Sequence, residues 1–281
     1  MTAPVDDRLT SHSSGPSKSC AFCRPLNSYV SLKMKNQKKE QRYKIGRCVH
    51  CLEQSNEIND DHIFPSAWYP DDTPGTVERW TIPCCVKCNR EHGANEQELL
   101  IRMGLCISPK DVRATGVAFR ALRSISPQSG KNNRDKSARQ MKRVTILKDI
   151  EVVKNSPVFG IFPNFGADPT IHYDDYTVIN VPAGGLIKLG EKIVRGLTYH
   201  FERRFIEKEK EQIDIFFLQD QDAAEIVNLA KRYGESIHRG PGILVTRAVT
   251  TDDTRAAIFI IEIWGRLKVY ALLQPKRNDL S

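Results

Sequence analysis

Nowhere does the sequence hold an apolar run long enough to cross a bilayer. The most apolar stretch, residues 256–264 (AAIFIIEIW), is short and carries Glu262, whereas a spanning helix needs about 20 apolar residues. Nor does an apolar segment follow a basic start. Residues 1–18 are rich in Ser, Pro and Thr and carry Asp6 and Asp7, so no secretory signal peptide is expected. There is no internal repeat, and residues 156–281 hold no motif that names a chemistry. These absences lead to the expectation of a cytoplasmic protein with no membrane partner. In that compartment thiols stay reduced, and paired cysteines bind zinc more readily than they form disulfides.

The remaining composition is that of a folded protein. The 281 residues are 40% hydrophobic and 27% charged, ordinary values for a globular chain. A net charge of +8 and a pI near 9.0 point to a polyanionic partner, of which nucleic acid is the commonest. Residues 1–19 are polar and small and read as a disordered tail. Residues 20–106 carry all eight cysteines and three of the seven histidines, with a basic arm at 31–47 expected as a short helix or an arm. Residues 107–155 read as a basic helical connector broken at 126–130. Residues 156–281 read as a domain of unknown role.

Within these segments the hydrophobic patterning gives a coarse fold. Residues 58–64 and 79–82 read as strands separated by a proline-rich loop, and 86–103 as a helix. Beyond 158, strands are expected at 177–181, 213–218, 242–249, 256–264 and 267–273. Helices are expected at 185–205 and 223–233, and a turn at Gly265-Arg266. The expected class is α+β, with antiparallel sheet in the last domain.

The informative residues are two C-x-x-C pairs that bracket an Asp-His. Cys48 and Cys51 come first, Asp61-His62-Ile63-Phe64-Pro65 follows, and Cys85 and Cys88 run into Asn89 and His92. Four thiolates can close one tetrahedral zinc site that leaves no open coordination position. His50, inside the first pair, then reads as a spacer. Adjacent strand residues point to opposite faces, so Asp61 and His62 can serve a metal and a water respectively. Asn89 and His92 share a helical face at i, i+3. A hard cation such as Mg2+ needs only a carboxylate and one or two further groups, and a histidine can deprotonate water.

At these residues, over 48–100, the chain resembles the HNH (ββα-metal) endonuclease family, in a four-cysteine zinc-stapled form. The resemblance implies a structural Zn2+ on Cys48, Cys51, Cys85 and Cys88. It implies His62 as general base, with Asp61 and Asn89 holding a catalytic Mg2+ or Mn2+ and His92 at the last motif position. It further implies hydrolysis of DNA phosphodiesters, with a homodimer as one route to double-strand cleavage. Lys38, Lys39, Arg42, Lys44, Arg79 and Arg90 are the expected phosphate contacts. The chain departs from the family pattern at Trp80, which stands where an orienting asparagine is usual.

A second reading stays open, that of a zinc-stapled module that binds nucleic acid or protein without catalysis. Cys20-x-x-Cys23 offers two ligands of a further zinc site, with Cys84 and Cys106 as poorly placed partners. Trp68, Tyr69 and Trp80 read as core residues rather than as platforms for stacked bases.

Overall fold

The computed structural model describes residues 44–154, 175–218 and 221–276. The residues from 43 onwards form one compact unit. The tail, Cys20, Cys23, Lys38, Lys39 and Arg42 lie outside the described residues. The unit is a mixed α+β structure with antiparallel sheets and, among the described residues, five α-helices.

The chain enters through β1 (Lys44–Arg47) and β2 (Gln54–His62), then β3 (Thr81–Cys85), an antiparallel sheet in the order β1-β2-β3. Residues 44–47, expected within a helix or arm, are therefore an edge strand. Their partners are Ile58 for Lys44 and Gln54 for Arg47. Helix α1 (Val86–Leu105) begins directly after β3. Helices α2 (Val117–Ile125) and α3 (Asn133–Lys148) follow, separated by a 3-10 turn at Pro127–Ser129. Asn132 caps α3 by accepting from the Asp135 N–H at 2.9 Å, which satisfies one of the helix's unpaired N-terminal donors.

A two-stranded ribbon, β4 (Ile150–Lys154) with β5 (Asp175–Ile179), comes next. Buried Arg102 of α1 anchors its base, donating to Asn180 O, Glu98 and Asp149. Helix α4 (Ala183–Glu202) precedes β6 (Glu211–Phe216), α5 (Ala224–Tyr233), β7 (Glu235–His238), β8 (Ile243–Val249), β9 (Ala257–Ile263) and β10 (Leu267–Pro275). These strands form an antiparallel sheet in the order β6-β10-β9-β8-β7. Strands β4 and β7 have no counterpart in the sequence reading, because each is short and lacks an apolar alternation.

One continuous core runs from Val49 to Leu273 and includes Ile63, Phe64, Trp68, Tyr69 and Trp80. The expected boundaries at 106 and 155 do not interrupt it. Helix α4 lies between the two larger sheets. An added Cβ at Gly196 would sit 3.0 Å from Ile63, and one at Gly190 would sit 3.0 Å from Ile215. A side chain at either position would press on its neighbour by a few tenths of an ångström, so glycine eases the close approach of the helix to both. The loop between β2 and β3 docks at the β9–β10 turn of the five-stranded sheet. There the indole N–H of Trp264 donates to Trp68 O at 2.6 Å, and the two rings lie 5.0 Å apart. Trp264 takes φ +55° and Gly265 φ +60°, and the β9–β10 turn spans residues 264–266, which contains the expected Gly265-Arg266. A bulky residue in the left-handed region is strained. Burial of the indole holds it there.

Candidate metal and phosphate site

The first cysteine pair occupies the tip of the β1–β2 hairpin. Cys48 N–H donates to Glu53 O and Leu52 N–H to Cys48 O, each at 3.0 Å, and Leu52 takes φ +70° to close the knuckle. The second pair joins β3 to α1. Cys85 is the N-cap of α1, and its sulfur accepts from Cys88 N–H at 3.4 Å. The Val49 N–H donates to Pro83 O at 3.0 Å, which ties the two knuckles together.

Ligand sulfurs of Cys48, Cys51, Cys85 and Cys88 all lie within 4.8 Å of one another. Cys51 and Cys85 are 3.8 Å apart. Zn–S bonds of about 2.3 Å at tetrahedral angles place sulfurs about 3.8 Å apart, so this donor set fits one zinc. Electrostatics agree. Burial, with the charge of Cys48 next, raises the Cys88 thiol, and burial also raises Cys51. Cys48 is the exception, lowered to about 3 by a hydrogen bond with Cys84. Sulfurs this close cannot all ionise without a cation between them.

Asp61 and His62 end β2, opposite Ile82 and Thr81. Asp61 is 7% exposed, whereas His62 on the other face is half-buried. Burial lowers His62 against the pull of Asp61, so its imidazole is neutral at pH 7 and able to accept a proton. The charges of Lys192 and Arg79 lower it further. Arg79 itself is exposed and lies over the Tyr69 ring at 5.1 Å.

Around Asp61 the structure gathers residues that the sequence reading did not single out. Lys192 of α4 is 1% exposed. Its ammonium lies 3.3 Å from Asp61 Oδ1, 2.7 Å from the His62 carbonyl oxygen, and pairs with Glu96 of α1. It is also 3.2 Å from Asp61 Oδ2, but off the hydrogen-bonding direction, and that oxygen has no donor. Burial alone would raise the Asp61 carboxyl. The His50 imidazole, 3.6 Å away, and the Lys192 charge reverse the shift, so Asp61 is held below the usual carboxylate range. Glu96 is raised by burial, with Lys192 offsetting part of the effect.

His50, read from sequence as a spacer, points into this cluster and packs edge-on against His92, ring centroids 4.3 Å apart. Burial, with His50 and Lys192 adding to it, pushes His92 down to about 4. Asn89 is brought to the same face of β2 but bonds a neighbour of Asp61, donating to Asn59 Oδ1 at 3.0 Å. Its carboxamide oxygen is the atom a cation would use. Trp80 stacks on His200 at 4.5 Å and carries Arg239 over its ring at 4.1 Å. Of the expected phosphate contacts, Arg90 is exposed on α1, and Lys44 lies at the β1 edge 4.0 Å from Asp60.

Nothing in the sequence marked Lys192 or Glu96. Lys192 lies in an amphipathic helix where a lysine ordinarily reads as solvated, and only the packing of α4 onto α1 and β3 makes it internal. No helix among the described residues is long and apolar enough to cross a membrane. Comparison of the chain with protein-family models, curated proteins and solved structures gives no match.

Proposed function

We propose that the protein is a metal-dependent endonuclease that hydrolyses DNA phosphodiester bonds. One observation carries the reading: the four-sulfur cluster ties the tip of the β1–β2 hairpin, whose second strand ends in Asp61 and His62, to the start of the helix bearing Asn89 and His92. A zinc there would be structural, since four protein ligands leave it no open position. His62, neutral at pH 7, is the base that takes the proton of an attacking water. Asp61 and Asn89, with His92 beside them, hold a divalent cation, Mg2+ or Mn2+. That cation, when bound, stabilises charge on the departing oxygen. Arg79 and Arg90 meet the flanking phosphates.

The test is cleavage of supercoiled plasmid by the zinc-loaded protein with Mg2+ or Mn2+, with and without chelator. General-base catalysis is worth about 10²- to 10⁴-fold, so His62→Ala is expected to lower the rate by that order while leaving the zinc content at one per chain. Cleavage unaffected by His62→Ala would remove the assignment.

A specific contact favours the second reading, a zinc-stapled binding module without catalysis. Lys192 already supplies Asp61 with a positive partner, so the carboxylate serves a buried ion pair with no metal required. On this reading the plasmid stays intact under every metal condition and the protein still retards DNA.

A further inference from the structure

Beside the four-cysteine cluster lies a second convergence of donor atoms. A ring nitrogen of His50, an Asp61 carboxylate oxygen and Cys84 Sγ lie within 4.8 Å of one another, and all three residues are buried. His50 is 6% exposed and neither of its ring nitrogens has a hydrogen-bond partner; Asp61 Oδ2 also lacks one. A buried polar atom left without a hydrogen bond is destabilising. His50 Nε2 and Asp61 Oδ2 face each other at 3.6 Å with no hydrogen bond on either atom, and one cation between them would satisfy both. Cys84 Sγ beside them bonds the Cys85 carbonyl at 3.4 Å and would exchange that bond for the metal.

We propose that His50 Nε2, Asp61 Oδ2 and Cys84 Sγ form a second metal site, distinct from the four-cysteine cluster, for a borderline transition-metal dication. The separation supports it. Nitrogen and oxygen ligands at about 2.0–2.2 Å from a four-coordinate ion lie about 3.3–3.6 Å apart, and His50 Nε2 is 3.6 Å from Asp61 Oδ2. The donor types decide the ion, since an imidazole, a carboxylate and a thiolate together suit Zn2+ or Co2+ far better than Mg2+. Charge is accommodated locally. The Lys192 ammonium shares the Asp61 carboxylate, and Glu96 supplies a second negative group against it.

A cavity of about 580 Å³ reaches His50 and Lys192, and its wall mixes basic groups such as Lys188 and Arg195 with acidic ones such as Glu91 and Glu191. The proposal does not rest on the nuclease reading; it shares only Asp61 with it and assigns Oδ2 of that carboxylate to a softer ion. On this account His50 is a ligand rather than a spacer.

Native mass spectrometry of the zinc-loaded protein titrated with Co2+ counts both ions on one chain. Optical absorption of the same sample reports thiolate and imidazole ligation of cobalt. The expected result is one Co2+ per chain in addition to one retained Zn2+, with a thiolate-to-cobalt band in the near ultraviolet. His50→Ala and Cys84→Ala should each weaken cobalt binding by about tenfold or more, with zinc content and circular dichroism unchanged. If either variant fails to fold, Asp61→Asn makes the same test. No cobalt beyond exchange into the zinc site, or wild-type affinity in a folded His50→Ala protein, overturns the proposal. Cobalt binding with uncut plasmid keeps this site and removes the nuclease. Plasmid cleavage with Mg2+ and no second cobalt keeps the nuclease and removes this site.

Discussion

Replacing Lys192 by methionine keeps the volume of the aliphatic stem and deletes the charge. The ammonium is 1% exposed, and its partners Asp61 and Glu96 have side chains only 8% and 13% exposed. Removal leaves two carboxylates in a desolvated place with no cation, and takes a donor from the His62 carbonyl. Breaking a buried ion pair from one side costs about 3–5 kcal/mol. In a unit of this size about 1 kcal/mol moves the melting temperature by 2–4 °C, so the Lys192→Met protein should melt on the order of 10 °C below the wild type. Differential scanning calorimetry of both proteins, zinc-loaded and at neutral pH, gives the comparison. The triple variant Lys192→Met, Asp61→Asn, Glu96→Gln should recover much of the loss, because no charge is then stranded and the three changes are coupled. If Lys192→Met melts with the wild type, the ammonium is not holding these carboxylates and the description of the cluster is wrong.

Removing zinc should be comparably disruptive. Stripping the four-cysteine site with a strong chelator is expected to free four thiols per chain for a thiol reagent and to lower the melting temperature, with zinc restoring both. Unchanged thermal unfolding would mean that the sulfurs do not bind a structural ion. At the other docking surface, Trp264→Ala removes a wholly buried indole and its bond to Trp68 O. Deletions of this kind cost about 3–5 kcal/mol, and equilibrium urea unfolding measures the loss. A loss under about 1 kcal/mol would show that the 63–80 loop is not anchored through this contact.

Much of the local structure was legible in the residues. The helix starting at Val86 and the strands around residues 213–218, 243–249, 257–263 and 267–275 follow from apolar periodicity, which local backbone geometry imposes. Strands β4 and β7 and the edge strand at 44–47 were not legible. Their pairing is supplied by neighbouring strands rather than by their own pattern. The β9–β10 turn was legible from Gly265-Arg266; that Trp264 joins it at positive φ was not.

The same division runs through the site. Spacing alone determined that Cys48, Cys51, Cys85 and Cys88 could meet, because a C-x-x-C knuckle is closed by its own backbone turn. Strand alternation alone separated Asp61 from His62. Which groups surround Asp61 was decided only by tertiary packing. His50 is turned inward by a knuckle whose backbone is bonded to Pro83, and Lys192 arrives from a helix 131 residues away in sequence. Contacts made across such distances carry no local signature. They exist because α4 buries its apolar face against α1 and β3 and carries one ammonium in with it, where Asp61, Glu96 and the His62 carbonyl compensate its charge.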